Sequence, residues 1–194
     1  MRLVLASGSA RRIDLLARLG LDFVSKAPDV DETRLPSEDP GAYVERLSRE
    51  KAITVSGPDS VVLGADTTVV HGGHVMGKPG HPAEARAMLN RLQGDVHEVF
   101  TGIAVAGNGE VHSLVDVTKV EMLAMTEEEI ADYVDSGEPM GKAGAYALQE
   151  RGGLYVESIV GSPFTVIGLP IHLLPRLTRQ VGVDLLRFRR PGPV

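Results

Sequence analysis

Residues 61–70 read VVLGADTTVV, a β-branched run with the character of a fully buried strand, and a carboxylate interrupts it. An unpaired buried carboxylate costs several kcal/mol or shifts its pKa strongly, so Asp66 needs a cation, hydrogen-bond donors or a metal. Either the strand stops at Ala65 and Asp66 caps a turn, or Asp66 is a functional carboxylate at the strand's exposed end. The β-branched residues that continue from Thr67 to Val70 favour the second reading.

Around this segment strand-like runs alternate with helical ones. A strand at 3–6 leads into a helix ending at Gly20, a helix starts near Pro40, and another covers 82–92. A hairpin follows, with strands at 99–105 and 111–120 turned at Gly107-Asn108-Gly109. Thr126-Glu127-Glu128-Glu129 carries a capping-box signature for the next helix, and a short strand at 154–158 precedes a helix over 169–181. The order is α/β with at least one antiparallel pair, which predicts a mixed sheet flanked by helices. The 194 residues are read as one domain, 1–194. The tail from Arg187 to Pro193 reads as a frayed terminus.

Composition excludes several function classes. The chain has no cysteine, which rules out disulfides, thiol catalysis and thiolate metal ligands and suits a reducing cytoplasm. No segment approaches the ~18 consecutive apolar residues of a membrane span, and the N-terminus enters a strand directly, so a cytoplasmic protein without a membrane partner is expected. A net charge of -6 opposes broad nucleic-acid binding, which leaves local basic sites to be explained.

The first such site is the seam LASGSARRIDLL at 5–16, where a strand turns into a helix. Unpartnered N–H groups and the positive end of the helix dipole suit an anion there, and Arg11 and Arg12 add forked donors beside Ser7 and Ser9. The alternative is that Ser9 only caps the helix and both arginines are solvated. Further along, Val44, Leu47 and Lys51 share one helical stripe behind an Asp39 cap and Pro40, so Lys51 either snorkels outward or points into a cleft. Lys78 in Gly77-Lys78-Pro79 and Lys142 in Gly141-Lys142-Ala143-Gly144 sit in loops whose glycines let backbone approach a ligand, though each also reads as a solvated charge. If the fold converges these groups, they suit one polyanion. A polyanion usually arrives with Mg²⁺, for which Asp29, Asp31, Glu32 and Asp66 are candidate ligands. His71, His74 and His81 raise the question of zinc, but a Gly-Gly turn puts the first two at a hairpin tip and no HExxH helix is present. Walker A and GxGxxG motifs are both missing.

Taken in order, LASGSARRIDLL, Asp31-Glu32, Glu50-Lys51-Ala52, Gly64-Ala65-Asp66-Thr67, Gly77-Lys78-Pro79, HEVFTG at 97–102, KAGAYALQ at 142–149 and Val166-Ile167-Gly168-Leu169-Pro170 resemble the Maf family over about residues 3–175. The resemblance implies a mixed twisted α/β sheet with flanking helices, two lobes around a cleft, related to the inosine triphosphate pyrophosphatases, and a homodimer. It implies a metal-dependent nucleoside triphosphate pyrophosphatase using Mg²⁺, or Mn²⁺ or Co²⁺ in its place. By the same resemblance Asp66 is the proton acceptor, Ser7, Arg12, Lys51 and Lys78 face the phosphates, and Glu32 and Asp66 lie near the metal. Arg11, Thr67 and Gln149 mark the dTTP and UTP branch. The rest of the candidate binding set, Ser9 and Lys142, comes from the seam and the glycine loop. Gly141 stands where this branch commonly has aspartate, and 161–165 departs from the usual wording. Whether Asp66 takes the proton or orients the attacking water stays open. The rival function is a non-catalytic nucleotide-binding regulator of septum formation, which would need the basic groups but not Asp66.

Overall fold

The computed structural model describes residues 1–190. Strand β1 (Arg2–Ala6) carries the buried aliphatic run and pairs in parallel with β2 (Val24–Ser25) on one side and β3 (Ser60–His71) on the other. Strand β3 turns at Gly72-Gly73, both at positive φ, into the antiparallel β4 (His74–Met76). The hairpin strands β5 (Val96–Gly107) and β6 (Glu110–Met122) are longer than their apolar runs, and β6 pairs antiparallel with β7 (Val156–Val160). The hydrogen-bonded order is β2-β1-β3-β5-β6-β7, with β4 against β3. The expected mixed sheet is therefore present.

Six α-helices accompany it among the described residues. Helix α1 (Ala10–Arg18) ends before Gly20, whose φ of 68° is the left-handed stop. In α2 (Pro40–Thr54) the Asp39 side chain accepts from the Gly41 and Ala42 amides and Pro40 occupies the first turn, where its missing N–H costs nothing. Helix α3 (Pro82–Leu92) is capped by His81, and α4 (Glu127–Asp135) has the full capping box between Thr126 and Glu129. Two short helices follow, α5 (Pro163–Ile167) and α6 (Leu174–Gln180).

Three expectations are corrected, and two short elements are added. Leu154 lies in a 3-10 turn and the last strand starts at Val156. The single helix expected over 169–181 is a 3-10 turn at Ile171–Leu173 followed by α6, because Pro170 and Pro175 each remove a donor. Helix α5 and strand β2 are too short to show a period. The tail is not frayed up to Arg190: Leu185–Phe188 form a 3-10 turn, Phe188 is buried, and the Phe188 carbonyl accepts from the Asp22 amide. Its last part, Pro191 to Pro193, lies outside the described residues.

The chain forms two compact units. The first comprises Met1–Asp66, Thr101–Asp116 and the described residues from Gly168 onward; the second comprises Thr67–Phe100 and Val117–Ile167. In the first, Val4, Ala6, Ala52, Val62, Ala104 and Ala106 pack together. In the second, Leu89, Leu92, Val99, Val120, Ile130 and Tyr133 belong to a larger cluster that seats α3 and α4.

Candidate active site

In the first unit α2 lies directly on the sheet, and glycine makes that possible. A Cβ on Gly64 would stand 2.1 Å from the Ser48 carbonyl oxygen, and one on Gly102 would stand 2.1 Å from that of Val44. No side chain fits either gap. The close approach buries the stripe of Val44, Leu47 and Lys51, as its spacing predicts, and sets Lys51 beside Asp66.

Lys51 does not snorkel. It is 5% exposed, and its Nζ lies 2.6 Å from Asp66 Oδ1 and 2.6 Å from Glu32 Oε1. Asp66 is 7% exposed. The carboxylate that interrupts the apolar run is thus compensated by a buried ammonium, as burial requires. The strand does not end at Ala65, and Asp66 is not at its end either: β3 continues to His71. The parallel pairing with β1 stops at Ala6 and Gly64, so Asp66 lies just beyond the last rung of that ladder.

There β1 gives way to the turn before α1. Ser7 is buried; its Oγ accepts from the Ser9 amide at 3.1 Å and from Arg12 Nη1 at 3.4 Å, and its carbonyl accepts from Ser25 Oγ at 2.6 Å. Arg12 Nε donates to the Gly168 carbonyl at 2.7 Å. Ser9 holds the cap position of α1 without a side-chain cap bond, which leaves the simple capping alternative without its hydrogen bond. Desolvation lowers the Arg12 pKa from its ordinary value, Asp66 offsets part of that, Arg11 adds to it and Glu32 offsets it further. Arginine stays charged under any such shift, so the turn presents a fixed cation in the field of both carboxylates. Ser7, Arg12, Lys51, Asp66 and Glu32 therefore form one electrostatic group.

The group tests well for a divalent cation. Glu32 and Asp66 converge on a single positive centre with hard oxygen donors, and among the described residues no set of three or more His, Asp or Glu could hold a metal alone. Two carboxylates offer hard oxygen donors that would fit a divalent cation needing further ligands from outside the protein. Of the other acidic candidates, Asp29 is exposed and Asp31 turns back to accept from the Thr33 amide at 2.9 Å. The histidines are each used locally: His71 pairs with Asp95 at 2.9 Å, His74 meets the Gly72 carbonyl, and His81 caps α3.

The second unit carries Thr67, Lys78, Lys142 and Gln149. Thr67 directly follows Asp66 on β3 and is half-buried, while Lys78 and Gln149 are exposed. The Gly144 amide donates to the Gly77 carbonyl at 3.1 Å, which joins the two lysine-bearing glycine loops. Gly144 has a φ of 69°, and a Cβ there would stand 2.8 Å from Val69 Cγ2, so glycine is required twice over. Lys142 donates to the Glu138 carbonyl and lies 3.8 Å from Glu150 Oε2. Two residues of the ordered motifs turn out to be structural: His97 Nε2 and Tyr146 Oη are 2.8 Å apart in a buried pair.

Sequence reasoning did not single out Tyr43, Arg46 or Glu38: Tyr43 Oη donates to the Glu32 carbonyl, and Arg46 bonds to Glu38 and to the Thr33 carbonyl. Gly64 did carry a signal, since glycine inside a strand marks close backbone approach.

A sequence profile described as "Maf-like protein" matches residues 2–181. A protein of Myxococcus xanthus named dTTP/UTP pyrophosphatase is 47% identical over 185 residues, covering 94% of each chain. Proteins of the same name from Hahella chejuensis and Vibrio cholerae are 44% identical over 189 residues and 45% identical over 182 residues. These alignments cover 95% and 92% of this chain, and 94% and 97% of the relatives.

Proposed function

The chain belongs to the family of Maf-like proteins, and from that premise we propose that it is a metal-dependent pyrophosphatase converting dTTP and UTP to the monophosphate and pyrophosphate. The observation that carries the reading is the buried Lys51 ammonium held between Asp66 and Glu32 beside the Ser7 and Arg12 turn. A protein that only binds nucleotide has no use for a carboxylate in that position. The relatives' name does not favour such a regulator either.

The chemistry is a water attack on the α-phosphorus. The water oxygen forms the new bond to phosphorus, the bond to the bridging oxygen breaks with its electron pair leaving on pyrophosphate, and the water proton goes to the Asp66 carboxylate. Arg12, Ser7 and the amides of the β1–α1 turn bind and orient the triphosphate, and Lys51 and Lys78 hold the charge that grows on the departing pyrophosphate. When bound by Glu32 and Asp66, Mg²⁺, or Mn²⁺ or Co²⁺ in its place, supplies further neutralisation of the polyanion. Ser9 and Lys142 complete the binding set.

Base choice is assigned to Thr67 and Gln149, with Arg11 closing that end. A free amide would accept either uracil or cytosine by rotating, so selectivity rests on neighbours that lock Gln149. The same proposal takes residues 1–194 as one catalytic domain, working as a cytoplasmic homodimer without a nucleic-acid partner; sedimentation checks the dimer. Among the described residues no helix is long and apolar enough to cross a membrane. The deciding experiment is pyrophosphate release from a panel of nucleoside triphosphates with Mg²⁺: release from dTTP and UTP supports the proposal, and none from any triphosphate overturns it.

A further inference from the structure

Glu32 reaches Lys51 from residues 28–39, a stretch without helix or strand in which residues 31–37 are all exposed. Such a stretch has little apolar burial to order it, yet Glu32 Oε1 is held 2.6 Å from a buried ammonium while its side chain is 44% exposed. What orders it is one face of α2. Tyr43 Oη donates to the Glu32 carbonyl at 2.9 Å. Arg46 grips the far end with a two-point fork, Nε to Glu38 Oε1 at 2.7 Å and Nη2 to Glu38 Oε2 at 2.9 Å, and its Nη2 also donates to the Thr33 carbonyl at 3.2 Å. Its guanidinium lies 5.8 Å from the Tyr43 ring centroid, so the two residues brace each other. Glu38 in turn accepts from the Leu35 amide at 3.0 Å, and its carbonyl accepts from Arg34 Nε at 2.9 Å. The Glu32 and Thr33 carbonyls are thus both held by α2, directly C-terminal to the Glu32 side chain.

We propose that Arg46 and Tyr43 are positioning residues that strap the 31–38 loop to α2, so that Glu32 faces Lys51 and the divalent cation of the reaction. The inference rests on the pyrophosphatase reading for the cation's role and on the geometry alone for the strap. Neither residue touches the reacting atoms; both act through the Glu32 backbone. An arginine is required because lysine cannot make the paired bonds to Glu38 and reach Thr33 together.

The test uses the full chain with the nonhydrolysable α,β-methylene analogue of UTP. Mn²⁺ affinity is read by electron paramagnetic resonance, and amide exchange of 31–38 by mass spectrometry. Arg46→Met is expected to raise the Mn²⁺ Kd about 10- to 100-fold. It should also speed exchange across the loop while leaving kcat at saturating Mn²⁺ within a few-fold of the parent. Tyr43→Phe, which removes one hydroxyl and leaves the fold untouched, raises the Kd about two- to tenfold. Glu32→Gln made in the Arg46→Met background adds little to the Mn²⁺ loss, because both changes break the same contact. A wild-type chain that releases no pyrophosphate overturns the functional reading. An active wild type whose Arg46→Met variant keeps parental Mn²⁺ affinity, or in which Glu32→Gln costs as much in the Arg46→Met background as in the parent, overturns the strap.

Discussion

The two units solve the burial of polar groups in opposite ways. The first buries charge: Lys51 and Asp66 are both nearly inaccessible, and each is the other's compensation. The second buries polar groups in neutral form: His97, 1% exposed, pairs with Tyr146, and burial pushes its pKa down to about 4. Of the candidate residues of the second unit, Lys78 and Gln149 are exposed and Thr67 and Lys142 are half-buried. An internal ion pair contributes little to stability compared with apolar packing, whereas the histidine bonded to a tyrosine brings no charge into the core but leaves its buried Nδ1 without a hydrogen-bond partner. The contrast teaches where the charge chemistry proposed for the reaction is preorganised. It belongs to the unit that tolerates the less stable arrangement.

Asp66→Asn is the sharpest way to break the comparison. It keeps the shape of the side chain and removes the proposed proton acceptor, so kcat should fall by about 10²- to 10⁴-fold with the circular dichroism spectrum unchanged. Near-normal turnover would reduce the buried pair to a structural device.

Next come the two lysines, one from each unit. Both Lys51→Ala and Lys78→Ala should weaken the triphosphate's transition state, about 10²-fold in kcat/KM, more than they weaken inhibition by the monophosphate product, since each is proposed to face phosphates the product lacks. Stability separates them. Removing Lys51 leaves Asp66 buried without its cation and should cost about 3 kcal/mol, while the exposed Lys78 should change unfolding by less than about 0.5 kcal/mol. Equal effects in a denaturant titration would erase the distinction between buried and exposed charge.

The buried histidine carries a pH signature of its own. The folded pKa of about 4 lies below the ordinary 6.5, so between those values the unfolded chain binds a proton that the folded chain refuses. Its stabilising contribution is complete above 6.5 and is lost as the pH falls toward 4, a loss of about 3 kcal/mol. Thermal unfolding of His97→Gln should lack this dependence. Glu38 in the first unit behaves differently: its bonds to Arg46 hold it at about 2, below the ordinary 4.5, so its contribution persists above 4.5 and goes only as the pH falls toward 2. The exchange rate of the 31–38 amides, corrected for the intrinsic pH dependence of exchange, should therefore stay flat through the window in which His97 titrates.

The smallest expected effect concerns the base. UTP should be preferred over CTP by at least about tenfold in kcat/KM, and Gln149→Ala should collapse that ratio with little change in stability. An unchanged ratio would move base recognition to other residues.

Several of these features were legible in the chain itself. A carboxylate inside VVLGADTTVV demanded a partner, and the spacing of Val44, Leu47 and Lys51 put a lysine on the buried face of α2, because helix geometry fixes which residues share a stripe. Caps at Asp39 and Thr126 marked helix starts for the same local reason. Tertiary structure alone decided which partner Asp66 took. Lys51 meets it because Gly64 and Gly102 let α2 touch the sheet, a condition set by residues far apart in sequence. It also decided which of Asp29, Asp31 and Glu32 meets Lys51, through an ion pair that composition and periodicity do not carry. Local rules act through backbone geometry within a few residues and are written in the sequence order. The pairing of charges depends on long-range packing, which no local period records.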